Sequence, residues 1–198
     1  MPSKITRSQQ LRTINVKNMT CSCCINLLQR ELAIDGIVIH ELKLGTLILS
    51  HDPKQITWKK IEGILEGLGF EIIRDKEKIL VEQIKQAIID LVHNSTYNAM
   101  VRNSDYLVER FGMSYPYIST LFSNHEKITL EKFTILHKIE KVKELIEYGE
   151  LTLSEIAYIM GYSSVQYLST QFKSVTGRSV TEYKDKPAIR RKGLDRIV

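Results

Sequence analysis

The stretch Leu153-Ser154-Glu155-Ile156-Ala157 … Met160-Gly161-Tyr162-Ser163 … Tyr167-Leu168-Ser169-Thr170-Gln171-Phe172 decides how the C-terminal half is read. It has the pattern of a short helix, a glycine turn and a second helix opened by serine. An earlier stretch repeats it: Ser104-Asp105-Tyr106-Leu107 … Phe111-Gly112-Met113-Ser114 … Tyr117-Ile118-Ser119-Thr120-Leu121-Phe122. Gly112 and Gly161 lie 49 apart and Ser119 and Ser169 lie 50 apart, so the copies differ by one residue in the turn. This is the helix-turn-helix grammar, in which the second helix can enter a DNA major groove. One copy is indistinguishable from a plain helical hairpin; two in register imply a shared task.

Working outward, residues 129–148 show helical spacing, with Phe133, Leu136, Ile139, Val142, Leu145 and Ile146 inside and the charges outside. One long helix therefore separates the two units. Gly112 and Gly161 permit the sharp turns, and Ile156, Ala157, Tyr167, Leu168 and Phe172 are spaced to close a small core. The exposed face of the first reading helix carries Ser114, Tyr115, Pro116, Ser119, Thr120 and Ser123. The second carries Ser163, Ser164, Val165, Gln166, Ser169, Thr170 and Lys173. Glutamine suits bidentate contact with adenine, valine suits a thymine methyl, and Lys173 suits a phosphate.

The 198 residues, 43% hydrophobic and 26% charged, fit a soluble globular chain of one large or two small domains. No apolar run reaches the roughly 20 residues of a membrane span, and the N-terminus lacks a secretory apolar region. The expected compartment is cytoplasmic. From Lys173 onward eight Lys/Arg face three acids, so the last 26 residues carry the whole net charge of +5. Beside a helix-turn-helix, this basic end is expected to supplement phosphate contacts.

The second copy, continued through Gly177 and Tyr183 to Lys184, resembles the AraC/XylS family of bacterial transcription regulators. The likeness runs from about Ile79 to Lys186 and includes the linking segment 138–146. It implies a DNA-binding regulator with double-stranded DNA as its partner, and RNA polymerase and a second copy of the chain as further candidates. Thr120 and Thr170 stand where many members carry arginine, which points to A·T-rich sites or shape readout in place of guanine contacts. The first copy also lacks a glycine near Lys127 that members often have.

The N-terminal part alternates between strand and helix signals: strand at 11–17, helix at 20–34, and a hairpin of 37–41 with 44–50 around Leu42-Lys43. A helix at 57–65 follows with Thr57 as N-cap, ended by Leu68-Gly69-Phe70, and then a strand at 71–74. The order βαββαβ is that of ferredoxin-like domains. The charged stretch 75–78 reads as the boundary, with a helix at 79–92 after it and a polar, irregular segment at 94–103. The expected fold is an α+β ferredoxin-like βαββαβ domain, then an all-α domain with two helix-turn-helix units joined by a long helix. Its domains are 8–76, 79–187 and a basic tail at 188–198.

All three cysteines fall in Asn18-Met19-Thr20-Cys21-Ser22-Cys23-Cys24, between the first strand and first helix. They cannot staple distant parts of the chain, so a secreted disulfide scaffold is excluded. The loop resembles the Met-Thr-Cys-x-x-Cys loop of heavy-metal-associated domains, which implies Cu(I) or another thiophilic ion held by Cys21 and Cys24. Asn18 stands where that family usually has glycine. Soft thiolates select such ions, and a following helix N-terminus favours thiolate charge. Cys23 is an additional candidate ligand. A redox switch and an interaction domain without metal remain alternatives.

The histidines His40, His51, His93, His125 and His137 lack ligand spacing and read as surface or linker residues. No nucleophile triad, phosphate loop or supported carboxylate pair appears, so the chain reads as a binding protein and not an enzyme. Two functions follow: a regulator whose N-terminal domain senses a thiophilic metal, or a constitutive DNA binder whose N-terminal domain is a metal-independent dimerisation or protein-interaction module. A metal carrier whose helical half docks protein is a third.

Overall fold

The computed structural model describes residues 10–94, 102–185, 191–194 and 197, apart from the Asn94 side chain. The chain forms two compact units, Met1–Gln86 and Ala87–Val198. In the first, the order is β1 (Gln10–Lys17), α1 (Ser22–Glu31), β2 (Ile37–Lys43), β3 (Thr46–His51), α2 (Trp58–Gly67) and β4 (Glu71–Ile73). The strands make one antiparallel sheet in the order β2-β3-β1-β4. Alternation in β1 turns Ile14 and Val16 inward, and α1 and α2 add Leu28, Ile61 and Leu65 to the same core.

Two local expectations are corrected. The hairpin turn is at Leu44-Gly45, because β2 runs on to Lys43 and pairs it with Thr46. Gly45, the second of the two loop residues, takes a φ of +77°, a left-handed conformation that leucine or lysine resists. The charged stretch 75–78 is helical: α3 spans Lys76–Ile89, and Asp75 Oδ1 accepts from the Lys78 N–H at 2.9 Å as an N-cap does. Charge density alone did not distinguish a linker from a first helical turn. The two units divide between Gln86 and Ala87, inside this helix.

A π-helical turn, Asp90–Asn94, follows α3. Residues 95–101, most of the expected irregular segment, lie outside the described residues. The second unit continues with α4 (Asn103–Phe111), α5 (Tyr115–His125), α6 (Leu130–Tyr148), α7 (Leu153–Ile159), α8 (Val165–Thr176) and α9 (Val180–Asp185). Gly112 closes α4 with φ +63°, and Gly161 follows α7 with φ +68°. The second helix starts three residues after Gly112 and four after Gly161, which is the one-residue difference between the copies.

Helix α6 departs from its expected charges-out pattern. Phe133, Ile139, Val142 and Ile146 are buried, but so are Glu140 (6% exposed) and Lys143 (3%). Their side chains pair at 2.6 Å. The reason is that α6 packs against the π-helical turn, α5, α7 and α8 together, leaving it no wholly solvated side. The histidines need the same correction. His51 and His137 are buried, His51 with Nδ1 against the Ile56 carbonyl at 3.2 Å and His137 beside Phe133.

Candidate functional site

Serine begins both candidate reading helices. Ser164 Oγ accepts from the Tyr167 N–H at 3.1 Å, capping α8, and Ser114 holds the corresponding place before α5, where Pro116 is in the first turn. Ser164 thus has a structural task at the position where it was expected to face a ligand. Ile118, Leu121 and Phe122 on α5, and Leu168 and Phe172 on α8, are buried and orient each helix.

The opposite faces match residue by residue. Pro116, Ser119, Thr120 and Ser123 on α5 correspond to Gln166, Ser169, Thr170 and Lys173 on α8, each 50 positions on. The spacing i, i+3, i+4, i+7 puts each set on one face. Gln166, Thr120, Thr170 and Lys173 are exposed, while Ser119, Ser123 and Ser169 are half-buried. Thr170 Oγ1 donates to the Gln166 carbonyl at 2.9 Å and Ser123 Oγ to the Ser119 carbonyl at 2.8 Å, so these hydroxyls offer acceptor capacity only. Ser163 is exposed and Val165 half-buried at the start of α8.

Tyr167 was expected in the core and is 49% exposed. Leu168 and Phe172 hold the core stripe, and a residue one position before Leu168 is rotated about 100° from it. Tyr167 instead borders a cavity of about 190 Å³ together with Asn103, Leu107 and Tyr115 from the first pair, and Gly161, Tyr162 and Gln171 from the second. Glu131, Thr134, Ile135 and Lys138 of α6 complete it. Both candidate reading helices therefore begin at the rim of one cleft. Burial, then the Glu131 carboxylate, raises the pKa of the Tyr115 hydroxyl, which stays a neutral donor. Sequence spacing missed Tyr162, Gln171 and Lys138, because their meeting requires three separate elements to pack together.

The described part of the basic tail lies on the other side of α6. Arg191 pairs with Glu144, and the Lys192 N–H donates to Glu140 Oε2 at 3.1 Å. The Tyr183 hydroxyl donates to Glu147 at 2.6 Å, and Ile197 is buried. Glu140, Glu144 and Glu147 form one helical stripe, opposite the stripe of Glu131, Thr134, Ile135 and Lys138 that faces the cleft. Lys186, Arg190 and Arg196 lie outside the described residues.

In the first unit Cys21 is the N-cap of α1, and its Sγ is 3.6 Å from Cys24 Sγ. Thiolate–metal bonds of roughly 2.3 Å allow two sulfurs on one ion to stand up to about 4.6 Å apart, so this pair fits a two-thiolate site. Cys23 is exposed, and among the described residues no three His, Cys, Asp or Glu side chains gather into a ligand set. The helix turns Cys23 about 100° from Cys24. Asn18 has φ +68° and donates from Nδ2 to the Gly69 carbonyl at 3.2 Å. The buried Met19 Sδ accepts from the Gly45 N–H at 3.2 Å. The cysteine loop is thereby tied to both the 68–70 turn and the hairpin turn.

Residues 107–186 match the family pattern described as a helix-turn-helix domain. That match lies wholly within the C-terminal half and spans α5 to α9 together with most of α4. The chain is 22% identical over 107 residues to the Msm operon regulatory protein of Streptococcus mutans, a match covering 54% of this chain and 36% of that protein. The chain thus spans about a third of that relative's length. Among solved structures, the C-terminal domain of AraT, a response regulator from Geobacillus stearothermophilus, is similar at 24% identity and TM-score 0.48, over 60% of this chain and 94% of that one. A DNA-binding transcriptional dual regulator from Escherichia coli K-12 is similar at 18% identity and TM-score 0.43, over 56% and 94%. Among the described residues no helix is long and apolar enough to cross a membrane.

Proposed function

We propose that this chain is a sequence-specific DNA-binding transcription regulator, with α5 and α8 as its two readers and double-stranded DNA as its partner. The observation that carries this reading is the pair of matching faces, Pro116-Ser119-Thr120-Ser123 and Gln166-Ser169-Thr170-Lys173, with Pro116, Thr120, Gln166, Thr170 and Lys173 exposed, on helices that open from one cleft. The operon-regulatory relative belongs to the same class by its name. Gln166 reads a base, Lys173 holds a phosphate, and the threonines leave A·T-rich or shape-selected sites as targets. Selection of duplexes from a random pool by the full chain tests it: enrichment of a sequence motif is expected, and no enrichment overturns it.

The N-terminal unit, in this reading, is a ferredoxin-like, heavy-metal-associated domain that makes DNA binding responsive to a thiophilic ion, Cu(I) foremost. Cys21 and Cys24 as thiolates hold the ion, while the Asn18–Gly69 and Met19–Gly45 contacts anchor the loop that carries them. Affinity for Cu(I) in competition with a coloured chelator should fall sharply in the variant Cys21→Ser/Cys24→Ser. Affinity for the selected duplex should change with Cu(I) in the wild type only. Equal duplex affinities in all four conditions would leave the constitutive, metal-independent function in its place.

A further inference from the structure

We propose that Lys138 is a positioning residue for the second reader: its ammonium ties α6 to the α7–α8 turn and so sets the angle at which α8 meets DNA. The inference rests on the DNA-reading function above. Lys138 Nζ donates to the Met160 carbonyl at 2.8 Å and lies 5.5 Å from the centre of the Tyr162 ring. Met160 ends α7. A helix's last carbonyls lack partners within the helix and carry the negative end of its dipole, so a cation there satisfies both. The aromatic face supplies a second attraction from the side.

The tie continues into the reading helix. The Tyr162 hydroxyl donates to Gln171 Oε1 at 3.0 Å, and Gln171 Nε2 donates to the Tyr167 hydroxyl at 3.2 Å. The Tyr162 and Tyr167 rings meet edge to face at 5.9 Å. An unbroken path of polar and aromatic contacts thus runs from the linking helix, through the turn, to the cleft side of α8. Burial also lowers the Lys138 pKa, as expected for an amine withdrawn from water, and a withdrawn charge depends on these particular partners. Lys138, Tyr162, Tyr167 and Gln171 all border the cleft that Tyr115 borders from α5, so the geometry they hold is the separation of the two readers.

One inserted base pair moves one half-site relative to the other by about 3.4 Å and about 35° around the duplex. A rigid pair of readers is penalised by that insertion, and a loosened pair follows it. The experiment uses the full chain and the duplex selected by the wild type, intact and with one base pair inserted between the contacted segments. The wild type should lose about tenfold or more on insertion, Lys138→Met less than about threefold, and Lys138→Arg should regain most of the sensitivity. The salt dependence of Lys138→Met should match the wild type. Equal insertion penalties in wild type and Lys138→Met overturn the proposal, as does a wild type indifferent to insertion. A retained penalty with a salt slope smaller by about 0.9 would make Lys138 a phosphate ligand instead. If circular dichroism shows Lys138→Met unfolded, Tyr162→Phe, which removes only the bond to Gln171, must show the reduced penalty. Failure of the wild type to select any duplex overturns the DNA-reading function itself, a result distinct from these.

Discussion

Asn18 stands where the heavy-metal-associated loops that this loop resembles usually have glycine, and its backbone accounts for an asparagine there. Its φ of +68° lies in the left-handed region, which asparagine tolerates better than any residue but glycine. Asn18→Val should cost roughly 1–2 kcal/mol in urea unfolding and Asn18→Gly much less, since only the valine strains the turn. The proposed reading faces give a second prediction at this scale. Lys173→Ala should weaken binding to all duplexes alike and reduce the salt slope by about 0.9, whereas Gln166→Ala should cost about 1–3 kcal/mol and relax preference at one base pair. Titrating both variants at several salt concentrations separates a phosphate contact from a base contact. The exposure of both positions was legible in the sequence, because a surface position on a helix depends only on spacing from the core stripe. The capping role of Ser164 and the cleft position of Tyr167 were not, because each is set by a partner or by rotation of the whole helix.

Helix α7 has seven residues and needs help to persist. Thr152 and Glu155 supply a capping box: Glu155 Oε2 accepts from the Thr152 N–H at 2.7 Å, and Thr152 Oγ1 accepts from the Glu155 N–H at 3.3 Å. Thr152→Ala should cost about 1 kcal/mol in thermal or urea unfolding. Hydrogen bonds from the Thr152 side chain and then its backbone hold the Glu155 carboxyl below its usual pKa. A depressed acid contributes stability that is present above its unfolded pKa and lost as pH falls through the folded one. Acid titration followed by circular dichroism should therefore show loss of stability below the usual glutamate range, and Glu155→Gln should flatten that limb. Helix α6 shows the limit at this scale. Its 3.6-residue repeat was plain in the sequence, yet Glu140 and Lys143 are buried because elements far along the chain cover its charged side.

Across the second unit, the back of α6 gathers the π-helical turn, the C-terminal segment and a histidine pair, with His137 Nδ1 3.3 Å from His93 Nε2. Burial first, then the Lys141 charge, lowers the His93 pKa to about 4; Glu144 opposes this and Arg191 adds to it. The unfolded ring takes its proton near 6.5, so the stability from a neutral His93 is complete above that pH and declines as pH falls towards 4. The urea midpoint should be lower at pH 5 than at pH 7.5, and His93→Gln should narrow the gap. The tail adds a further expectation. Because Arg191 pairs with Glu144 opposite the cleft, Arg191→Ala should leave the salt slope of duplex binding unchanged; a fall of about 0.9 would place Arg191 on a phosphate.

The amino-acid sequence by itself determined the element order, the duplicated helix pairs, the matching faces of α5 and α8 and the Cys21–Cys24 pair, since all follow from spacing within about four residues. Only the tertiary structure decided that α5 and α8 both open on one cleft, that Lys138 caps α7 from another helix, that Cys23 is exposed while Cys21 and Cys24 are half-buried, and that Arg191 and the Lys192 N–H meet the acidic stripe of α6. Those contacts join residues up to 52 positions apart. A charge or hydroxyl reveals its chemistry in sequence, but its partner is chosen by packing.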